Sequence, residues 1–205
     1  MKTHAFIGLA VFLLVVPAAG SAEAPHGVGG FILDHDIKEY ADRVIMETAL
    51  PTRYEENIEE VEIKFTDGFK TGLIAYATCA KPGHIARIKL KYADSSKEFF
   101  DQLLKLFKKK FGDPDEYRGD PFHIVIAWKW SFIDSQNNQI SLTLQHNAKS
   151  AEEKMGNAVK LTLTNLIEED RLCFQKKSDM RERLRLRKWE AVDPGLSGWN
   201  VFVPQ

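Results

Sequence analysis

The chain has 205 residues, of which 28 are Lys or Arg and 29 are Asp or Glu, so its formal net charge is −1. This balance lacks the overall basic excess that is typical of nucleic-acid-binding domains, so no nucleic-acid partner is expected. Hydrophobic residues make up 44% of the chain and charged residues 28%, which argues against a disordered chain and predicts an ordinary globular domain.

Residues 1–22 have the three-part pattern of a cleaved signal peptide. Lys2 gives a positive start, an uncharged apolar run extends from Ala5 to Val16, and small residues follow Pro17. The run is shorter than the ~20 residues of a membrane-spanning helix, and no later run reaches that length. Because no cysteine near the cleavage position can carry a lipid, we expect a periplasmic or extracellular protein without anchor or transmembrane segment; an uncleaved N-terminal anchor or a buried helix is the alternative.

The two cysteines, Cys79 and Cys173, are far apart in sequence. Export to an oxidising compartment favours a disulfide between them. Such a bridge would close a long loop and contribute at most about 4–5 kcal/mol. Two buried free thiols are the alternative, because spacing alone does not bring the two Cα atoms within bonding range. The pair is not a C-x-x-C motif, so a thioredoxin-like redox site is not expected.

The first half of the chain is expected to form a helix and three strands. Residues 23–30 contain Pro and Gly and are predicted to be a flexible lead-in. Apolar residues recur at steps of three and four from Leu33 to Leu50, which predicts an amphipathic helix capped by Asp34 or Asp36. Alternation predicts three strands after it, with a hairpin at Asp67-Gly68. These strands are Val61–Phe65, Lys70–Cys79 and Ile85–Ala93.

The second half repeats this order. A Phe/Leu stripe predicts a helix that begins at an N-cap, Ser95, and ends at Gly112 and Pro114. Three further strands are predicted by alternation, followed by a charged segment that is helical in part and a tail over residues 191–205. The three strands are His123–Ile133, Gln139–Asn147 and Ala158–Asn165.

The last three strands alternate consistently, which predicts one apolar and one polar face. Trp128 and Trp130 fall on the apolar face, so we interpret both as core residues rather than as an exposed binding patch. The polar face is a candidate binding surface, and a plain solvated surface is its alternative. Its residues are Lys129, Ser131, Thr143, Gln145, Lys160, Thr162 and Thr164.

These elements predict an α+β fold. Two helix-plus-three-stranded antiparallel meander units, residues 31–94 and 95–167, would join edge to edge into one sheet layer covered by helices. The units would form a single domain over residues 31–190, which ends in a charged C-terminal helix. Because the order helix, strand, strand, strand occurs twice, we consider the two units an internal repeat.

Two stretches carry a resemblance to a known group of proteins. Gly30–Leu33 reads "GFIL" before a predicted helix, and Lys108–Pro114 reads "KKKFGDP" at the end of another. This layout resembles the small exported α+β modules of the β-lactamase-inhibitor-protein and outer-membrane-assembly-lipoprotein type. The resemblance implies a non-enzymatic protein that works by contact. The chain lacks the anchoring cysteine of the lipoproteins.

No catalytic motif is present in the sequence: there is no HExxH, no G-x-S-x-G and no phosphate-binding loop. We therefore expect no cofactor and no metal, and predict a protein that binds a partner protein or an envelope component. One alternative is a hydrolase-type enzyme whose site combines His123, His146 and nearby acids, and another is a carrier of a small apolar ligand. A second candidate contact surface is a basic C-terminal segment, whose alternative is a helix docked on the domain: Arg181, Arg183, Arg185, Arg187, Lys188 and Trp189.

Overall fold

The computed structural model describes residues 23–64, 66–148 and 156–190, and the side chains of its last helix as far as residue 185. The predicted signal peptide, residues 1–22, and the predicted tail, residues 191–205, lie outside the described residues. The two helices are α1 (Lys97–Phe111) and α2 (Thr164–Glu190), and a short 3-10 helix covers Ile37–Tyr40. The strands are β1 (Gly27–Val28), β2 (Phe31–Ile32), β3 (Val44–Pro51), β4 (Ile58–Ile63), β5 (Phe69–Ala77), β6 (Ile85–Tyr92), β7 (Glu116–Tyr117), β8 (Val125–Ile133), β9 (Gln139–Asn147) and β10 (Gly156–Leu163).

Eight of the strands form one antiparallel sheet, which confirms the predicted α+β class. The strand order is β3-β4-β5-β6-β10-β9-β8-β7. Two four-stranded meanders, β3 to β6 and β7 to β10, therefore meet where β10 pairs with β6, with Val159 opposite Leu90. The six-stranded sheet predicted from the sequence lacks the two outer strands, β3 and β7. An internal repeat stays a prediction.

The helix predicted over Leu33–Leu50 is wrong. Asp36 caps a 3-10 helix of only four residues, accepting a hydrogen bond from the Lys38 N–H. The chain then extends into β3, an edge strand that pairs with β4. The apolar spacing fits both outcomes, because the 3-10 helix buries Ile37 and Tyr40 and the strand buries Val44. Pairing with β4 decides between them, since tertiary contacts override a local helical pattern.

Part of the predicted flexible lead-in is a small hairpin. Gly27 and Val28 of β1 pair with Ile32 and Phe31 of β2. The Arg43 guanidinium holds the turn between them, donating to the carbonyl oxygens of Gly29 and Gly30 at 2.6 and 2.8 Å. The hairpin thereby fixes the buried Phe31 ring beneath Arg43.

Helix α1 covers the apolar face of the second meander. Its N-cap is Ser96 rather than the predicted Ser95, because the Ser96 hydroxyl accepts from the Phe99 N–H. The Phe100 ring is buried against His146, and Phe107 packs on Trp130. These contacts place the core between α1 and strands β8 to β10.

The two tryptophans both lie on the apolar side, to different depths. Trp130 is 1% exposed, and its indole N–H donates to the Gly112 carbonyl at 2.9 Å. Trp128 is half-buried and packs edge-on against Tyr117 of β7. Ile124 lies in the predicted strand His123–Ile133 and shares the alternation of the two tryptophans, but it is 41% exposed because β8 begins only at Val125.

Helix α2 is attached to the domain by its first turns only. Cys173 forms a disulfide with Cys79, which decides the alternative that the sequence left open. The fully buried Asp170 carboxylate accepts hydrogen bonds from the N–H groups of Thr78, Cys79 and Ala80 at 3.2, 2.7 and 2.5 Å, just after β5. Every described side chain from Gln175 to Arg185 is exposed. We call residues 175–190, the half of α2 beyond the disulfide, the projecting half.

Candidate functional site

The pairing of β6, β10, β9 and β8 aligns polar side chains across the second face of the sheet. Lys129 lies opposite Thr143, Thr143 opposite Lys160, and Lys160 opposite Lys89. In the next row, Thr162 lies between Ser141 and Arg87. Cross-strand partners have Cβ atoms only about 5 Å apart, so these rows form one continuous surface.

This surface contains a shallow depression of about 340 Å³. Six of the seven residues predicted for the polar face line it; Ser131 is exposed but is not among the lining residues. Helix α2 contributes only its first residue, Thr164, and α1 packs on the opposite face. A smaller depression next to it adds Lys89. The residues of the larger depression are Arg87, Arg118, Ala127, Lys129, Ser141, Thr143, Gln145, Lys160, Thr162 and Thr164.

Cations surround this polar surface, and we refer to it as the basic sheet face. Its five cations are Arg87, Lys89, Arg118, Lys129 and Lys160, and two carboxylates, Glu55 and Glu116, pair with some of them. Arg87 lies 3.0 Å from Glu55, and Glu116 contacts Arg118 at 2.7 Å and Lys129 at 3.7 Å. These seven groups carry five positive and two negative charges.

Lys89 lies directly opposite Lys160 where β6 pairs with β10. Like charges in directly opposed cross-strand positions destabilise a sheet, whereas a neutral or acidic residue at either position would not. An anion bound over the two ammonium groups would be attracted by both. The pair therefore favours an acidic ligand over a neutral or basic one.

Three of these cations were not included in the surface predicted from the sequence. Alternation does turn Arg87 and Lys89 away from the apolar face of their strand. The sequence contains no local signal that β6 pairs with β10. It therefore does not predict that the polar faces of the two meanders form one surface. Arg118 lies just beyond the two-residue strand β7, which alternation cannot detect. The long-range strand order was the missing information.

The threonines of this face are more buried than a solvated surface predicts. Thr143 is 9% exposed and Thr162 is 6% exposed, although both point away from the hydrophobic core. Thr143 is flanked by Lys129 and Lys160, whose long side chains rise on either side of it. The face is thus a recess with hydroxyl groups at its floor and ammonium groups at its rim.

The structure does not bring His123 and His146 into one site. His146 is buried, lies against Phe100 and has its Nδ1 2.7 Å from the Asn157 side-chain oxygen. His123 is exposed and contacts the Tyr117 hydroxyl at 3.0 Å. One imidazole belongs to the core and the other to a surface turn, so the alternative of an enzyme with both histidines has no support in this geometry.

Leu33–Asp36 reads "LDHD" and offers two carboxylates and an imidazole, but these groups are engaged in local contacts. Asp34 contacts Lys81 at 3.0 Å and His84 at 3.1 Å, His35 contacts Glu39 at 3.0 Å, and Asp36 caps the 3-10 helix. Within residues 23–64, 66–148 and 156–185, no group of three or more His, Cys, Asp or Glu side chains is arranged to hold a metal ion.

The space between α1 and the sheet is occupied by aromatic rings. Phe107 lies 5.9 Å from Trp130 and Phe111 lies 5.6 Å from Phe132, measured between ring centroids. A carrier of a small apolar ligand would hold its ligand at this place. Packing of this kind favours a structural core there.

The basic C-terminal segment forms part of the projecting half of α2. Arg181, Arg183 and Arg185 are exposed, as are the apolar Met180 and Leu184, at 65% and 55%. This exposure is opposite to what a helix docked on the domain would show. The side chains of Arg187, Lys188 and Trp189 lie outside the described residues.

Comparison with known proteins gives no relative for this chain. No family model matches it, and neither a curated protein nor a solved structure is significantly similar to it. The resemblance to inhibitor-protein and lipoprotein modules therefore stays a prediction. In the part of the chain that the structure describes, neither helix combines the length and apolar character that crossing a membrane requires.

Proposed function

We propose that this chain is exported and acts without catalysis, by binding an acidic region of a partner protein or another anionic envelope component through the basic sheet face. The observation that carries the proposal is the recess itself. Five cations surround hydroxyl and amide groups on a sheet face to which the helices contribute only Thr164. The Cys79–Cys173 disulfide supports export, because such bridges persist in oxidising compartments.

The chemistry of the face suits recognition of carboxylates. Arg87 and Arg118 are held at the rim by Glu55 and Glu116, so their guanidinium groups are preorganised. Arginine forks bind carboxylates in a bidentate manner, and lysines add attraction that depends less on direction. Hydroxyl groups at the floor supply further donors. The cluster of cations would also speed the encounter with an acidic partner, and salt would weaken this attraction.

The test is a double charge reversal in the middle of the recess, Lys89→Glu with Lys160→Glu. The matched control, Lys105→Glu with Lys109→Glu, makes the same charge change on exposed positions of α1. We expect the original chain and the control to recover the same partner from envelope extract. The reversal variant should bind it at least about ten-fold more weakly, because both attractions become repulsions.

Two outcomes would contradict the proposal. One is equal partner binding by the reversal variant and the control, which would place the contact elsewhere on the chain. The other is recovery of no specific partner together with turnover on a panel of hydrolase substrates, which would favour an enzyme. Circular dichroism of each variant establishes that the fold is retained before binding is measured.

A further inference from the structure

The projecting half of α2 has an arrangement of charges that the basic sheet face does not explain. Seven of the residues from 176 to 190 are Lys or Arg and three are Asp or Glu, so this stretch carries +4 in a chain whose net charge is −1. The helix runs about 25 Å beyond the disulfide at Cys173, at about 1.5 Å per residue. Its described side chains contact no other element of the domain closely enough to be buried.

The described side chains are sorted around this helix. At about 100° per residue, Met180 and Leu184 form a short apolar ridge. Lys176 and Arg183 lie on one side of the ridge, and Lys177, Arg181 and Arg185 lie on the other. Asp179 and Glu182 fall on the opposite side of the helix. The order around the helix is therefore basic, apolar, basic, and then acidic.

We propose that the projecting half of α2 binds the surface of an anionic phospholipid bilayer. On a bilayer, the ridge would enter the boundary between headgroups and acyl chains while the flanking cations reach the lipid phosphates. Asp179 and Glu182 would face water. The disulfide and the buried Asp170 fix the base of the helix, so the domain would be held at a defined distance from the membrane.

Two other binding partners, a second copy of the chain and an acidic protein, fit the projecting half of α2 less well than a bilayer does. A second copy of the chain that offered its basic sheet face would bring positive charge against positive charge. An acidic protein would match the cations, but it gives no reason for two apolar side chains, 65% and 55% exposed, at the centre of the basic arc. A bilayer accounts for both the cations and the ridge.

The test is cosedimentation of the chain from residue 23 onward with lipid vesicles. Vesicles of phosphatidylcholine alone are compared with vesicles that contain roughly one-third phosphatidylglycerol. We expect binding to the anionic vesicles only, and weaker binding as salt rises. Each Lys or Arg near such a surface strengthens binding about five-fold, so Arg181→Gln with Arg185→Gln should weaken binding about 25-fold.

Two further variants separate a lipid surface from other anions. Met180→Gln with Leu184→Gln keeps every charge and should weaken vesicle binding about ten-fold, because the ridge no longer enters the boundary. The matched control, Lys105→Gln with Lys109→Gln, removes the same two charges from α1 and should change binding less than about two-fold. All these positions are exposed, so the fold is expected to be retained.

Several results would overturn the assignment. Absence of binding to anionic vesicles at low salt, or equal binding to neutral and anionic vesicles, would do so. An undiminished affinity of the Met180→Gln, Leu184→Gln variant, combined with full competition by polyglutamate, would identify an acidic protein as the partner instead. The Lys89→Glu, Lys160→Glu variant keeps α2 intact, so it should bind vesicles more tightly than the Arg181→Gln, Arg185→Gln variant does. This comparison distinguishes a failure of the membrane proposal from a failure of the sheet-face proposal.

Discussion

The two α-helices that the structure describes, α1 and α2, are held in opposite ways. Helix α1 lies along the sheet and packs a stripe of phenylalanines against it, with Phe100 1% exposed and the half-buried Phe107 on Trp130. Helix α2 is nearly twice as long, but its contacts with the domain lie near its start and include Leu166, the Asp170 carboxylate and one disulfide. An apolar stripe fixes a helix along its whole length, whereas a polar anchor fixes one end and leaves the rest exposed.

This difference assigns the two helices different roles: α1 contributes to the stability of the fold, and the projecting half of α2 is available for binding. Residues on the α1 stripe contribute apolar burial, so their truncation should destabilise the domain. Residues on the projecting half of α2 contribute almost nothing to folding, so their identities are available for binding. The contrast predicts that equivalent truncations on the two helices have very different costs.

The largest expected effect is that of Phe100→Ala. Removing a fully buried phenylalanine ring costs about 4 kcal/mol through lost burial and the cavity that remains. Leu184→Ala, on the projecting half, is the matched control and should cost less than about 0.5 kcal/mol. The measurement is urea unfolding followed by circular dichroism with the disulfide intact. Similar losses in both variants would mean that α2 is docked in solution and that the contrast between the helices is wrong.

The next effect in size is that of removing the disulfide, by Cys79→Ala with Cys173→Ala. The bridge joins residues 94 positions apart, and its loss should reduce the free energy of unfolding by about 3 kcal/mol, mainly because the unfolded chain regains freedom. Native helix content should change little, since Asp170 still holds the first turns of α2. Mass spectrometry of the original chain after alkylation provides the control, and two alkylated cysteines would contradict the bridge.

The second meander could be predicted from the sequence because its signal is local. Alternation has a period of two, so one choice of face settles every residue of a strand. β9 was predicted with its observed bounds, and Ile140, Leu142 and Leu144 are buried as expected. The helix over Leu33–Leu50 failed because its apolar spacing suits a short helix and a strand equally. Only the distant β4 decides between the two outcomes.

The candidate site could be predicted only in part, for a related reason. Thr143, Gln145 and Lys160 could be assigned to one face because β9 and β10 are neighbours along the chain. Arg87 and Lys89 belong to β6, which reaches β10 only through a pairing between the two meanders. The exposure of Arg181 could not be predicted either. A charged helix with a thin apolar stripe has the same sequence pattern whether it packs on the domain or projects into solvent. Long-range order, not residue chemistry, was the unpredictable part.

The smallest of these effects tests the polar anchor of α2. Asp170→Asn keeps the size of the side chain but removes its charge and turns an amide N–H₂ toward backbone N–H donors. Hydrogen bonds to a charged acceptor contribute about 1.5–3 kcal/mol each, and the amide oxygen retains part of them, so we expect a loss of about 2 kcal/mol. Asp179→Asn, an exposed position on the projecting half, is the control and should stay within about 0.5 kcal/mol.

Combining Asp170→Asn with loss of the disulfide is the sharper experiment. Asp170 accepts from the N–H of Cys79, and Cys173 lies one turn further along α2, so both anchors hold the same junction. Their losses should therefore not be additive. Hydrogen exchange in the first turns of α2 should rise far more in the combined variant than in either alone, while exchange in α1 stays slow. Strictly additive losses, with uniform exchange in both helices, would mean that α2 has no separate attachment.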